Sequence, residues 1–411
     1  MCSRKGNNQR RILLGILKEL AVPQLSSEFT ERIRSQNPLV FPARRFQFRM
    51  ETVSVGRHVS VKMATTRLVV LLCVVGCTLT GEHNGSEDVF EMTIRMPNAT
   101  SSSPDDLVCH GQKVPEKETY IVKFTPHASM RRAHHMMVYG CSQPGNTKPF
   151  WMCPFAEDLT SEPGLSICGE GEKQIVFAWA NDAPAKNLPP GVGFRVGGTT
   201  GIDYLVIQLH YVHQFGADAA DDSGVTLHMT YSRPPQQAGY YVMGNVGTIP
   251  PHMPAFRMES ACTFNLNYTI FPIGYRTHGH NIAVVNSGYR IRDNTWHEIG
   301  RMSPQRPQTF YDTTTKWMDI RDGDILASRC TFNSMNRTQA TQIGPTNADE
   351  MCNFYILYST YEQKDLTVEY CFRGDSFKWS DYFAYAPPDA SSLKDIPGAE
   401  EIRHKFNLDP R

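Results

Sequence analysis

The 411-residue chain is short of long apolar runs: its longest, inside "MATTRLVVLLCVVGCTLTGEH", is unbroken only over residues 68–76. A membrane-spanning helix needs roughly 20 apolar residues, so no transmembrane span is expected. It also lacks any CxxC pair among its 11 cysteines, which argues against a zinc knuckle or a thioredoxin-like redox site. Net charge is absent as well. Basic and acidic residues number 41 each, but residues 1–62 hold 12 of the former and 4 of the latter. From Met63 onward acidic residues are in excess, and the body offers no cationic face to nucleic acid. Convincing helical periodicity is missing, and "GVGFRVGG" lacks the third glycine and the strand-to-helix setting of a dinucleotide site.

What is present begins at Met63. One arginine followed by a short apolar run is the layout of a secretory signal peptide, assigned to 63–81, with 1–62 as an extension outside the mature protein. A presequence for an organelle is the other reading of 1–62. Discarding Cys2, Cys73 and Cys77 leaves eight cysteines, an even number that suits four disulfides in an oxidising compartment. Sequons at Asn84, Asn98, Asn267 and Asn336 point the same way, to the secretory lumen, its granules or the exterior.

Short stretches rich in Val, Ile, Tyr and Phe, such as "ETYIVKF", "QIVFAWA", "DYLVIQLHYV" and "NFYILYST", are separated by Gly, Pro, Asn and Asp turns. The fold class expected is all-β, as two tandem antiparallel β-sandwich, jelly-roll-like domains. The eight cysteines divide four and four about the Pro-rich "SRPPQQAG" (232–239), which sets domains at 82–233 and 234–386. Residues 387–411 read as a flexible, turn-rich tail.

Histidines carry the chemistry. In "YRTHGHN", Arg276, His278 and His280 follow i, i+2, i+4 and would leave one face of a strand. In "DEMCNFYILY", Met351, Asn353 and Tyr355 share a face while Cys352 and Phe354 take the other. Two imidazoles and a thioether select Cu(I) and leave a coordination position open; the plainer alternatives are a polar strand face and core filler. His134 and His135 are adjacent, so they hold one metal only where the strand kinks or ends, or where the rings coordinate through different nitrogens. "YLVIQLHYVHQF" supplies Gln208 and His210 on one face, with His213 on the other. His110, His127, His213, His228, His252, His297 and His404 read as ordinary hydrogen-bonding residues.

Taken together, "HHM" before a cysteine, "QLHY", "HGH" and "EMC" resemble the copper type II, ascorbate-dependent monooxygenases, from about Cys109 to Cys371, with "LPPGVGFRVGGTTG", "GYRIR", "GDILASRC" and "QATQIG" between. The resemblance implies two copper ions per chain, one on each sandwich. His134, His135 and His210 would hold a distant electron-donating copper; His278, His280 and Met351 would hold the oxygen-binding one. Ascorbate is the implied reductant and O2 the co-substrate. The peptide-amidating branch hydroxylates the α-carbon of a C-terminal glycine in glycine-extended peptides. Arg276, Asn353 and Tyr355 would then meet the carboxylate, and Gln208 matches a catalytic position near the first copper. Implied disulfides are Cys109–Cys153, Cys141–Cys168, Cys262–Cys371 and Cys330–Cys352.

The sequence departs from that pattern twice. Ser223 stands where a further cysteine would fall, its partner is missing too, and a looser N-terminal strand is the expected cost. With the chain ending at Arg411, a separate peptidyl-hydroxyglycine lyase would act on the product. Two other functions fit the motifs: a catecholamine-type β-hydroxylase of the same family, and a non-catalytic copper-binding extracellular β-sandwich.

Overall fold

The computed structural model describes residues 88–153, 164–169, 173–216, 219–344 and 346–408. The extension 1–62, the signal segment 63–81 and Asn84 lie outside the described residues. The fold is all-β and its sheets are largely antiparallel, as alternating apolar residues and frequent turns require. No helix among the described residues is long and apolar enough to cross a membrane.

A five-stranded sheet runs in the order Trp151–Met152, Asp106–Lys113, Tyr204–Tyr211, His135–Cys141 and Gln174–Ala180. A four-stranded sheet orders Phe256–Thr263, Ile325–Phe332, Ala283–Arg292 and Thr295–Met302. Between them, a nine-stranded sheet passes from Val89–Arg95 through Gly224–Thr230, Thr119–His127 and Val192–Val196 into Gln236–Val246, Asn353–Thr360 and Phe271–His278. The crossing from one half to the other is a short parallel pairing, Gln236 with Val192 and Gln237 with Gly193. The Pro-rich stretch therefore serves as a linker only briefly: Gln236 already begins a strand, because residues beyond Pro235 have no proline to block the ladder.

Strand parity explains how the halves meet. Along Asn353–Thr360 every residue is buried, and alternate side chains enter different cores. Tyr355 and Leu357 join the cluster of the N-terminal half, whereas Phe354, Ile356 and Tyr358 join that of the C-terminal half. Tyr240 and Val242 are divided from Tyr241 and Met243 in the same way. The period of two is what makes a strand buried on both faces read as a continuous apolar run. On the C-terminal side, Tyr275 and Phe354 stack with centroids 5.5 Å apart. Each ring fills a hollow left by a glycine, since a Cβ on Gly300 or Gly288 would stand 2.1 or 2.3 Å from ring carbons.

The four disulfides are Cys109–Cys153, Cys141–Cys168, Cys262–Cys371 and Cys330–Cys352, the pairings that the resemblance implied. Where the fifth bridge is missing, Asp221 accepts hydrogen bonds from the Tyr211 hydroxyl at 2.7 Å and from Ser223 Oγ at 2.8 Å. The N-terminal strand still pairs along its whole length with Gly224–Thr230.

The C-terminal segment corrects the sequence reading. Instead of a flexible tail without helix, residues 387–408 pack on the C-terminal half and end in helix α1, Ala399–Phe406. Leu393, Ile396 and Ile402 are buried in its core. Their irregular spacing among charged residues hid the apolar face. Eight residues do not sustain a helix alone, so it is this packing that holds α1, and Asn407 closes it in the left-handed conformation at φ 50°.

Candidate metal centres

His134 and His135 sit where a strand starts. His135 is the first residue of His135–Cys141, paired with His210 on one side and Ala180 on the other. His134 lies just outside, its N–H donating to His210 O at 2.8 Å. The strand end removes the opposite-face restriction on adjacent residues, and ligand atoms of His134, His135 and His210 all lie within 4.8 Å of one another. His210 Nε2 donates to Asp105 Oδ1 at 3.0 Å, which turns Nδ1 inward. All three Nδ1 atoms are buried without a hydrogen-bond partner. Three buried ring nitrogens without a partner, on histidines this close together, are what a metal ion would satisfy.

Burial keeps these rings neutral. It pushes His134 down to about 4, aided by His210 and His280. His135 is held well below the ordinary value for the same reason. His210 is also lowered by burial, although Asp105 opposes the shift. Neutral imidazole is the ligating form.

The second cluster stands on the central sheet. Arg276 pairs with Tyr355 and His278 with Asn353 across neighbouring strands. Tyr275 points into the C-terminal core, so by alternation Arg276 and His278 face the N-terminal half. The strand ends at His278, and His280 follows it in a loop, yet the two rings are 5.3 Å apart. His278 Nε2 lies 3.2 Å from Met351 Sδ. His278 Nδ1 donates to Gln308 Oε1 at 2.5 Å, and His280 Nδ1 to Asp349 O at 3.1 Å. Both rings therefore turn Nε2 away from those partners, the arrangement by which second-shell acceptors orient metal ligands. Two imidazole nitrogens and a thioether suit Cu(I).

Arg276, Asn353, Tyr355, His135, His278, His280 and Met351 line one cavity, with Met137, Tyr139, Lys173, Tyr370 and Phe372. Arg276 is 2% exposed, with its guanidinium carbon 5.2 Å from the centre of the Tyr355 ring. Burial lowers its pKa from the ordinary value. Its Nε donates to Gln308 O at 2.8 Å and Nη2 to Gln308 Oε1 at 3.4 Å. Asn353 Nδ2 is 3.5 Å from the Tyr355 hydroxyl.

Gln208 lies across from Met137, two residues before His210 on the same strand. It is fully buried, and its Nε2 donates to Cys153 O at 3.1 Å. His213 is exposed and does not join the cluster. Most of the remaining histidines have the expected ordinary partners: Pro149 O for His110, Thr226 for His127, Thr125 and Glu91 for His228, Met335 O for His252 and Arg290 for His297. The two clusters are not distant. The rings of His134 and His280 are 6.5 Å apart, because strand alternation turns the second cluster toward the first.

Two residues escaped the sequence reading. Gln308 orients His278 and Arg276 together, but its loop carries no pattern that marks it. Glu350 is fully buried and accepts hydrogen bonds from the backbone N–H of His280, Ile282 and Met351. Burial raises its carboxyl above the ordinary value against those donors and the nearby His280. An acid next to a proposed ligand in "DEMC" was the available signal.

Fold and site define an all-β protein with two histidine clusters facing each other, each offering a metal-ligand donor set. Residues 92–217 match the N-terminal domain, and residues 236–382 the C-terminal domain, of the copper type II ascorbate-dependent monooxygenases. The chain belongs to that family, whose cofactor is copper and whose reductant is ascorbate. It is 43% identical over 278 residues to peptidyl-glycine alpha-amidating monooxygenase A of Xenopus laevis, covering 67% of this chain and 28% of that protein. The corresponding mouse enzyme is 42% identical over 273 residues, 66% of this chain and 27% of its own length. Dopamine beta-hydroxylase of Canis lupus familiaris is 26% identical over 308 residues, 70% of this chain and 48% of that one. The chain thus spans less than a third of the amidating relatives it matches.

Proposed function

We propose that the chain hydroxylates the α-carbon of C-terminal glycine in glycine-extended peptides, within the secretory pathway. The observation that carries this reading is Arg276 on the wall that also presents His278, His280 and Met351. A buried guanidinium beside a redox centre calls for an anionic substrate group, and a terminal carboxylate matches its planar fork. Identity above 40% to two amidating enzymes, against 26% to a catecholamine hydroxylase, supports the choice of substrate.

His134, His135 and His210 would hold one copper; His278, His280 and Met351 would hold the other. When bound, copper supplies one-electron chemistry with O2, ascorbate providing two electrons so that one oxygen atom enters the C–H bond and the other leaves as water. The chain's own residues bind and orient. Gln308 occupies the Nε and Nη2 side of Arg276, so the substrate carboxylate takes the remaining side of the guanidinium. Asn353 and Tyr355, beside Arg276 on the same face, add neutral donors. Fixing the carboxylate presents the α-carbon to the centre two residues away on the strand, an effect of orientation. Gln308 and the Asp349 carbonyl keep both ring Nδ1 protons in place, so Nε2 remains the ligating atom.

The purified chain, supplied with copper, ascorbate, O2 and a peptide ending in glycine, should yield the α-hydroxyglycine peptide. Turnover of tyramine in its place would transfer the chain to the catecholamine branch. Copper binding without ascorbate-dependent oxygen uptake on either substrate would make it a non-catalytic copper protein.

A further inference from the structure

We infer that helix α1 is a positioning brace for the second metal centre, acting on the loop that carries His280. This rests on the reading of His278, His280 and Met351 as copper ligands. The helix lies beyond residue 382, where the family match ends.

Two routes lead from α1 to residues 279–283. On the first, Lys405 Nζ donates to Gln305 Oε1, and Arg306 Nη1 donates to Glu401 Oε2 at 2.9 Å. Gly398, at φ 71°, leaves room for that arginine: a Cβ there would stand 2.5 Å from Nη1. Gln305 Nε2 in turn donates to His280 O at 2.7 Å and Ala283 O at 2.8 Å. The same short loop presents Gln308 to His278. On the second route, Asn333 Nδ2 donates to Phe406 O at 3.1 Å while its backbone N–H donates to Ile282 O at 2.9 Å.

His280 needs such support because the strand ladder stops at His278. Glu350 holds the loop from within through His280 N and Ile282 N; Gln305 and Asn333 hold it from the side that α1 covers. The helix is anchored through Ile402, 2% exposed in the C-terminal core. Docked, it pins both outer supports of the His280 loop. Undocked, it leaves Gln305 without its lysine and Asn333 without the Phe406 carbonyl.

Two variants of the full chain test this: Ile402→Asp, which undocks the helix, and Glu401→Ala/Lys405→Ala, which removes exposed contacts and leaves the core intact. Cu(I) affinity is read by chelator competition, and thioether ligation by X-ray absorption. Residues that hydrogen-bond a metal ligand directly contribute about 10–100-fold in affinity, and one step further out about threefold to tenfold is expected. The loss should fall on the second centre alone, with a weakened sulfur signal, and Lys405→Arg should retain wild-type behaviour. Wild-type affinity and an unchanged sulfur signal in both variants would overturn the brace. If His278→Ala removed no copper from the otherwise native chain, the ligand reading beneath it would fall instead.

Discussion

Replacing Arg276 with alanine should cost two to three orders of magnitude in kcat/KM for a glycine-extended peptide. The guanidinium is buried, stacks on Tyr355 and is fixed by Gln308, so it meets a carboxylate without having to be ordered first. A hydrogen bond to a charged group contributes about 1.5–3 kcal/mol, and two from one guanidinium, which are less than additive, about 3–5 kcal/mol. At roughly 1.4 kcal/mol per factor of ten, that is about 150-fold to 4,000-fold. Lysine keeps the charge but not the fork, and should recover part of the loss. The assay compares peptides ending in glycine with the same peptides ending in glycinamide, for wild type and both variants, with copper content measured in each. Wild type should prefer the acid strongly, whereas Arg276→Ala should treat the two nearly alike. If Arg276→Ala kept its copper and still preferred the acid as wild type does, the carboxylate assignment would be refuted.

Three further outcomes follow from particular contacts. Met351→Leu conserves volume within about 1.5 kcal/mol of stability but removes the sulfur that lies 3.2 Å from His278 Nε2; Cu(I) at the second centre should weaken while the three-histidine centre keeps its copper, and equal retention at both would exclude Met351 as a ligand. Opening Cys330–Cys352 by Cys330→Ser with Cys352→Ser, a bridge across 22 residues, should cost about 3 kcal/mol in denaturant unfolding; an unchanged midpoint and slope would show that the sheet does not need it. Arg292 holds the Asp319 carboxyl below its ordinary value through a side-chain hydrogen bond. Stability from that depressed carboxylate is present above about pH 4 and disappears as pH falls through the folded value, so the gap between wild type and Arg292→Met should be widest near neutrality and close in acid. A gap that stayed constant down to pH 2 would assign the loss to packing.

The β class was legible because each strand announces itself within a few residues, and His278, Met351, Asn353 and Tyr355 were legible because alternation assigns a face without tertiary information. His134 beside His135 was readable only as a set of conditions, that the strand kink or end there or that the rings use different nitrogens; the strand begins at His135. The nearness of the two clusters was not readable. It depends on the pairing of Gln236 with Val192, a long-range contact that no local pattern encodes. Gln308 and Gln305 were invisible for a related reason: both lie in a Pro-containing loop whose position is set by the strands around it. Helix α1 was missed because its apolar residues are sparse, and it exists through docking.

The central strand makes the site depend on register more than on any single ligand. From Met351 onward, odd-numbered residues up to Tyr355 face the cavity and even-numbered ones enter the opposite core, where Cys352 is bonded to Cys330. A slip by one residue would send Met351, Asn353 and Tyr355 into the C-terminal core and present Cys352 and Phe354 to Arg276 and His278. Two features oppose that slip. The disulfide fixes Cys352 to the four-stranded sheet, and the Phe354 ring is fitted over Gly288, where no Cβ could stand. The packing face of the strand thus sets the position of its chemical face. Substitutions at Gly288 should therefore disturb copper at the second centre although that glycine lies on the far side of the sheet.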